Sequence, residues 1–251
     1  MNRHWKTAWI TGASTGIGRA LALQLAKQGV RVAASARDAV KLDALVSEQA
    51  GITAFPLDVT DHDAVATTYA AIARDFGAID LAVLNAGVWD PMSADDFDAR
   101  RVAATMTVNH TGVANALEPL LKDMIARRAG QIALVASVAG YRGLPKAVAY
   151  APSKAAVISL AEVLRLDLAR HDVMVNLINP GFVETPMTSV NRFPMPFMVT
   201  ADDAAVRIIA GLRKGKFEIA FPWQLVALMK ALRLAPYPAY YAFVRRFIAK
   251  G

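Results

Sequence analysis

The chain has 251 residues, with 28 lysines and arginines, 21 aspartates and glutamates, four histidines and no cysteine. A composition of 55% hydrophobic and 20% charged residues excludes a disordered or collagen-like chain, and the length predicts a single domain over 1–251. The lack of cysteine excludes a disulfide framework, a zinc–thiolate site and a thiol nucleophile, and the four scattered histidines predict no metal site.

The first residues do not have the character of a signal peptide, because the polar start runs into only four apolar positions, 7–10, before Thr11 and Gly12. No charge-free apolar run approaches the roughly 18–20 residues that span a bilayer. A cytoplasmic location is therefore expected, and association with the inner membrane surface is left open.

Short apolar runs alternate along the chain with longer helical patterns. The predicted strands are 6–10, 31–36, 53–57, 80–84, 131–137, 173–179 and 217–221. The predicted helices before the C-terminal segment are 17–28, 39–50, 61–76, 95–126, 150–170 and 202–213. Several strands are apolar throughout, which is typical of a parallel sheet covered on both faces. This order predicts an α/β fold, a doubly wound Rossmann-type parallel sheet of about seven strands.

A glycine-rich turn follows the first predicted strand and opens the first helix. Its glycines let the backbone approach a pyrophosphate, and the helix N-terminus offers N–H groups and partial positive charge. The residues expected to bind there are Gly12, Thr15, Gly16, Ile17 and Gly18, while the Ser14 hydroxyl is expected to contact a 2′-phosphate on the adenosine ribose. A tight turn without a ligand is the alternative. The spacing G-x-x-x-G-x-G resembles the short-chain dehydrogenase/reductase family, in its compact branch of about 250 residues.

The end of the second predicted strand bears on the choice of cofactor. Where the resemblance implies an acid that binds the ribose 2′-hydroxyl of NAD, this chain has Ala36, followed by Arg37. A guanidinium pairs with a 2′-phosphate, which favours NADP(H) over NAD(H). A solvated Arg37 is the alternative, and Asp38 is expected to cap the next helix.

Further cofactor contacts are implied by the resemblance alone. They fall at the ends of the third, fourth and sixth predicted strands, at Asp58, Val59, Asn85, Ala86, Gly87, Pro180, Gly181, Val183 and Thr185. Leu84 departs from the family, which has asparagine before its N-A-G segment. A loop Asp or Asn that satisfies backbone groups is the alternative for the polar members of this set.

Four side chains resemble the family's active site residue for residue: Asn109, Ser137, Tyr150 and Lys154. Tyr150 and Lys154 form Y-x-x-x-K and share one face of a helix. A free phenol has a pKa of about 10, and a nearby ammonium is expected to lower it, so that Tyr150 exchanges a proton with the substrate oxygen. Ser137 is expected to orient that oxygen. The resemblance covers roughly 5–190.

The resemblance also implies two supporting roles. Tyr150 and Lys154 are expected to contact the cofactor, with Lys154 holding the nicotinamide ribose, and Asn109 is expected to support a water that carries the proton outward. Ser153 is predicted to be a helix-surface hydroxyl. Tyr141 is a rival phenol, but it has no lysine four residues further on.

The segment 186–198 is rich in proline, methionine and phenylalanine. Such a composition predicts an adaptable apolar lid, and hence a hydrophobic carbonyl or alcohol as substrate. Ordinary core filling by the same side chains is the alternative.

The C-terminal segment is predicted to be a helical extension, 222–251, with helices at 223–234 and 237–250. Residues 211–251 contain eight basic residues and one acidic residue, so they account for the whole net charge of +7. Mixed aromatic and basic side chains suit an anionic membrane surface, and equally a subunit interface or a wall of the substrate pocket. The basic residues are few and no recognition fold is visible, so nucleic-acid binding is not expected.

Together these features predict an NADP(H)-dependent oxidoreductase that interconverts a carbonyl and an alcohol. The resemblance implies a homodimer or homotetramer, with the long helices at 95–126 and 150–170 as interface candidates. The alternative is a non-catalytic nucleotide-binding sensor or scaffold on the same fold. An extended epimerase or dehydratase is disfavoured by the length and the glycine spacing.

Overall fold

The computed structural model describes residues 4–191 and 193–248. The polar start at Met1, Arg192 within the predicted lid, and Lys250 of the basic segment lie outside these residues. No helix in the described ranges is long and apolar enough to cross a membrane.

Seven strands and the helices between them follow the predicted alternation. The strands are β1 (Thr7–Thr11), β2 (Arg31–Ala36), β3 (Ile52–Pro56), β4 (Leu81–Leu84), β5 (Gly130–Val135), β6 (Val173–Pro180) and β7 (Glu218–Phe221). The helices are α1 (Gly16–Lys27), α2 (Ala39–Glu48), α3 (His62–Phe76), α4 (Ala99–Met106), α5 (Gly112–Arg127), α6 (Tyr150–Asp167), α7 (Ala201–Arg213), α8 (Trp223–Leu234) and α9 (Tyr237–Phe247). Every predicted strand is confirmed to within two residues.

All seven strands pair in parallel in one sheet of order β3-β2-β1-β4-β5-β6-β7. The predicted doubly wound Rossmann-type sheet is therefore confirmed. The order reverses between β1 and β4, and in such sheets ligands bind in the crevice at the carboxyl ends of the strands next to that point.

Alternate side chains of each strand enter two separate apolar layers. In β1, Trp9 packs with α3, α5 and α6, while Ala8 and Ile10 pack with α1, α2 and α7. Strands buried on both faces need apolar residues at consecutive positions, which explains the continuous runs seen in the sequence.

The helix predicted over 95–126 is interrupted, and this prediction is corrected. The helix begins only at Ala99, because the Asp98 side chain accepts a hydrogen bond from the Arg100 N–H at 2.7 Å and caps it. A π-helical turn at Thr107–Thr111 then separates α4 from α5. Such a turn adds one residue to a helical repeat, and it often marks a functional position.

The C-terminal helices pack on the sheet layer that holds α5 and α6. Leu225, Met229 and Leu232 of α8, with Tyr240 and Val244 of α9, belong to that buried layer. The sequence boundaries of α8 are those predicted, and α9 is described to Phe247.

Candidate functional site

A cleft of about 760 Å³ opens at the carboxyl ends of β1 to β6, where the predicted binding loops lie. The predicted residues that line it are Gly12, Ser14, Thr15, Gly16, Ile17, Arg37, Asp58, Val59, Asn85, Ala86, Gly87, Ser137, Tyr150, Lys154, Pro180, Gly181, Val183 and Thr185. Residues far apart in the chain therefore meet on one surface, because parallel strands bring their carboxyl ends to the same edge.

Two of the predicted residues lie behind the wall of the cleft. Gly18 is buried, and a Cβ atom there would stand 2.3 Å from the Gly12 carbonyl oxygen. Asn109 is also fully buried. Gly18 therefore allows α1 to pack against the glycine turn rather than facing the cavity.

The glycine turn is held in shape from two sides. The Asn85 side-chain amide donates to the carbonyls of Thr11 and Gly12, both at 3.1 Å. Gly16 has a φ of +54°, and a Cβ there would come within 2.8 Å of the Thr185 side chain. A side chain at Gly16 would therefore be strained and would push the loop after β6 away from the turn.

At the far end of the cleft, the acid Asp58 is hydrogen-bonded to Thr60. The Asp58 carboxylate accepts from the backbone N–H and the hydroxyl of Thr60, at 2.9 and 2.8 Å. Burial acts to raise the pKa of Asp58, but these bonds and the charge of Arg37 outweigh it, so the pKa lies below its ordinary value. Asp58 therefore remains an ionised hydrogen-bond acceptor.

Asp38 caps α2, as predicted. Its carboxylate accepts from the Lys41 N–H at 3.1 Å and forms an ion pair with the Lys41 ammonium at 2.7 Å. Lys41 also lines the cleft beside Arg37, which the sequence analysis missed. A lysine in the first helical turn opposes the helix dipole, and the Asp38 carboxylate offsets this here.

Tyr150 and Lys154 lie at the opposite end of the cleft, at the start of α6. The Tyr150 hydroxyl is hydrogen-bonded to the Ser137 side chain, and its ring meets the Trp89 ring edge-on with centroids 4.9 Å apart. The Lys154 ammonium lies 5.7 Å from the Tyr150 ring centroid and donates to the Val135 carbonyl at 3.0 Å. The Tyr150 phenol, the Ser137 hydroxyl and the Lys154 ammonium therefore lie together in one corner of the cleft.

The prediction that Lys154 lowers the pKa of Tyr150 is wrong in this structure. Burial raises the pKa of the phenol above its ordinary value, and the Ser137 hydrogen bond offsets only part of that rise. Burial also lowers the pKa of Lys154, to about 8, because the ammonium has lost water. Desolvation therefore dominates at both groups, since the ammonium donates to a backbone carbonyl and not to the phenol.

The prediction for Ser153 is also wrong. Ser153 is fully buried, where its hydroxyl donates to the Tyr150 carbonyl at 2.7 Å and accepts from the Asn109 amide at 2.9 Å. The Asn109 side chain also accepts from the Val88 N–H at 2.7 Å and donates to the Val88 carbonyl at 3.0 Å. The π-helical turn thus joins the first turn of α6 to the loop after β4. Helical spacing alone could not reveal this, because the partner lies 44 residues away.

Tyr141 does not belong to the cleft. Its hydroxyl bonds the Glu218 carboxylate, and burial together with that carboxylate raises its pKa well above the ordinary range. Glu218 in turn accepts from Asn179 at 2.9 Å and pairs with Lys230. This phenol therefore has a structural partner and no access to the site.

The start of the predicted lid forms part of the lining of the cleft. Pro186, Met187 and Thr188 line the cavity, and the Thr188 hydroxyl donates to the Val183 carbonyl at 2.7 Å. Further along, Asn191 accepts from the Trp89 indole N–H at 2.8 Å. The segment is therefore attached both to the loop after β6 and to the ring that packs on Tyr150.

A parallel sheet with a dinucleotide-sized cleft at its switch point defines a Rossmann-type nucleotide-binding protein. The family model for short chain dehydrogenases matches residues 6–194. The chain belongs to the short-chain dehydrogenase/reductase family, whose members are oxidoreductases that bind a nicotinamide cofactor.

Known proteins of this family cover most of the chain. An uncharacterized oxidoreductase of Myxococcus xanthus is 41% identical over 246 residues, which are 96% of this chain and 97% of that protein. The 2,3-dihydro-2,3-dihydroxybenzoate dehydrogenase of Bacillus subtilis is 41% identical over 72% of this chain and 71% of its own. The crystal structure of levodione reductase superimposes with a TM-score of 0.81 at 25% identity, covering 88% of this chain and 98% of that one.

The lowered pKa of Lys154 predicts a pH-dependent stability. Between pH 8 and 10.5 the unfolded chain keeps the lysine proton while the folded protein has lost it, so the free energy of unfolding rises with pH. Relative to Lys154→Met, that rise should reach about 3 kcal/mol. Urea unfolding of both proteins across this range measures it, with Lys27→Met at an exposed position of α1 as the control. A constant difference between wild type and Lys154→Met would contradict the prediction.

Proposed function

We propose that this protein is an NADP(H)-dependent carbonyl reductase or alcohol dehydrogenase. The observation that carries the proposal is the corner of the cleft where the Tyr150 hydroxyl bonds Ser137 and the Lys154 ammonium lies under the phenol ring. A non-catalytic sensor would need the glycine turn but would have no use for this corner.

The residues of the cleft fit a nicotinamide dinucleotide. The glycine turn lines the cleft with backbone, where a side chain at Gly16 would collide with Thr185, and the ionised Asp58 offers an acceptor at the far end. We assign Gly12 to Gly16 to the pyrophosphate, Asp58 to the adenine and Lys154 to the nicotinamide ribose. When bound, the cofactor supplies the hydride that reduces a carbonyl carbon.

The protein's own part in the reaction is to hold the substrate oxygen and supply its proton. The Ser137 hydroxyl can donate to a carbonyl oxygen placed between it and Tyr150. The raised pKa keeps Tyr150 protonated at neutral pH, so its hydroxyl can transfer a proton to the alkoxide as negative charge develops. A protonated phenol favours the reductive direction, and alcohol oxidation would require the phenolate.

Asn109 and Ser153 serve in this proposal as positioning residues. Their hydrogen bonds fix the Tyr150 carbonyl and the Val88 backbone, so they set where the first turn of α6 stands relative to the loop after β4. We retain the proposed water relay at Asn109 only as a secondary role, since its amide already bonds Val88 and Ser153.

Removal of the phenol hydroxyl tests the catalytic assignment. We expect Tyr150→Phe to lower kcat by at least about a hundredfold, because general acid catalysis typically contributes that much, while NADPH affinity changes little. Tyr141→Phe is the matched control, since it removes a buried phenol outside the cleft. Steady-state turnover and fluorescence titration measure the two effects. Undiminished turnover in Tyr150→Phe would refute Tyr150 as the proton donor, and the absence of turnover in the wild type would favour the sensor alternative.

The preference for NADP(H) rests on two cations at the far end of the cleft. Arg37 and Lys41 both line it there, and the last residue of β2 is Ala36 rather than an acid. Asp38 is already bonded to Lys41, which leaves it poorly placed to bind a ribose hydroxyl. A 2′-phosphate beside Arg37 would therefore meet attraction rather than repulsion.

Replacement of these cations should weaken NADPH binding selectively. We expect Arg37→Ala to raise the Kd for NADPH by about 10- to 100-fold, the loss of a charge-assisted hydrogen bond, and to change the Kd for NADH less than about threefold. Arg74→Ala, which removes an exposed cation from α3, is the control. Titration of both cofactors decides the matter, and equal losses for NADPH and NADH would refute the assignment.

The Tyr150 end of the cleft supports a hydrophobic substrate. Val88 and Met187 line the cleft, and the Trp89 ring packs on Tyr150. The family relatives include proteins named as a dehydrogenase and as a reductase, which supports an exchange between alcohol and carbonyl on small organic molecules.

A panel of carbonyl compounds tests this substrate class. With NADPH, we expect kcat/KM to be at least about tenfold higher for lipophilic ketones and aldehydes than for small polar carbonyls, because each buried methylene contributes about 0.8 kcal/mol. The absorbance of NADPH reports turnover directly. Faster reduction of the polar compounds would contradict the proposal.

We also propose that the protein forms a homodimer or homotetramer through the long helices on one face of the sheet, α4 to α6. Val163 and Leu166 are exposed on α6, one of the long helices suggested by the sequence. Their outward position leaves apolar surface that a second copy would cover.

A further inference from the structure

The C-terminal helix pair, residues 223–248, exposes unusually large apolar side chains. On α8 an outward stripe runs through Trp223, Ala227, Ala231 and Leu234, at the spacing of one helix face. Trp223 is 73% and Leu234 87% exposed, although other residues of α8 are buried in the core. This stripe is therefore a surface that the described fold leaves uncovered.

The second helix of the pair, α9, also exposes large aromatic side chains. Tyr237 and Tyr241 are exposed and stack with centroids 5.9 Å apart, and Phe247 is 69% exposed. Exposed tyrosine and tryptophan rings suit a boundary between water and lipid, because each ring combines apolar area with a polar atom.

The same helices carry exposed cations and no acid. Arg233, Arg245 and Arg246 are exposed, and no acidic residue follows Glu218 in the sequence. Lys230 pairs with Glu218, so it is partly neutralised. The guanidinium groups of Arg233, Arg245 and Arg246 form no ion pair with a carboxylate in the described residues of the helix pair.

We propose that the C-terminal helix pair docks on the surface of a membrane that contains anionic lipids. Anionic headgroups complement the arginines, and the acyl boundary accepts Trp223, Leu234 and the exposed rings. A second copy of the chain fits this face poorly, because two such faces would oppose arginine to arginine without a carboxylate between them.

The docked helices are joined to the loop that leads from Ser137 to Tyr150. The Arg142 guanidinium donates to the Arg233 carbonyl at 2.9 Å and stacks on the rings of Tyr237 and Tyr240, 4.6 and 4.5 Å away. The Tyr240 hydroxyl bonds the Gly143 carbonyl. Docking therefore fixes how the catalytic loop is oriented toward the membrane surface.

The start of α8 also lies against the wall of the cleft. A Cβ atom on Gly181, which lines the cavity, would stand 2.7 Å from Leu225 and 3.1 Å from Pro222. Trp223 follows directly, so the exposed stripe begins beside the active site. A membrane-dissolved substrate would thus be presented close to the cleft.

Vesicle co-sedimentation of the full-length protein tests the proposal. We expect binding to phosphatidylcholine vesicles that contain phosphatidylglycerol at low salt, and release at salt that shortens the Debye length to about 3 Å. Arg245→Gln/Arg246→Gln should weaken binding about 30-fold, at about tenfold per 1.4 kcal/mol and about 1 kcal/mol per cation. Trp223→Gln/Leu234→Gln should weaken it at least about tenfold.

Two matched controls change equivalent residues elsewhere. Arg165→Gln/Arg207→Gln removes two exposed arginines from α6 and α7, and Val206→Gln removes an exposed apolar side chain. Both should bind vesicles like the wild type, and thermal unfolding checks that every variant is folded.

Three results would overturn the proposal. One is the absence of binding to anionic vesicles at low salt, and another is an equal loss of binding in the controls. The third is a Trp223→Gln/Leu234→Gln protein that binds vesicles normally but has dissociated by sedimentation velocity, which would assign the face to a second copy. None of these results depends on turnover, so they are separate from the test of the proposed function.

Discussion

The parallel pairing of β1 with both β2 and β4 is the constraint on which the site depends. Because neighbouring strands run the same way, every loop that follows a strand emerges at one edge, and the reversal of strand order opens that edge into a cleft. The glycine turn and the Tyr150 corner, about 135 residues apart in the chain, share a cavity for this reason alone. The chemistry is thus positioned by backbone topology, and side-chain contacts only refine it.

Burial governs the charge states at the reactive end of that cleft. Lys154 is 4% exposed and has a carbonyl, not a carboxylate, as its hydrogen-bond partner, so its pKa falls to about 8. The same loss of water raises the pKa of Tyr150. Each group is pushed toward its neutral form, so the electrostatic environment favours a phenol that holds its proton. Sequence spacing brings the two groups together but contains no information on how dry their surroundings are.

The sequence predicted the seven strands and nearly all of the cleft, because continuous apolar runs and a glycine-rich turn are local signals. It could not show that Ser153 is buried, since the hydrogen bond to Asn109 depends on a π-helical turn that no periodicity reveals. Lys41 and Trp89 were missed for a related reason, because each reaches the site from a loop or helix start whose direction is set by tertiary packing. The helix predicted over 95–126 was too long because apolar spacing continued through a loop that Asp98 ends by capping.

The hydrogen bond between the Trp89 indole and Asn191 joins two separate parts of the structure around the cleft. It connects the segment after β6 to the Trp89 ring, which packs edge-on against the Tyr150 phenol. One such bond is worth about 1 kcal/mol net, so breaking this contact requires far less than unfolding any strand or helix. The Trp89 indole thus links the segment after β6 to the Tyr150 ring, so a substitution at this residue would disturb both contacts together.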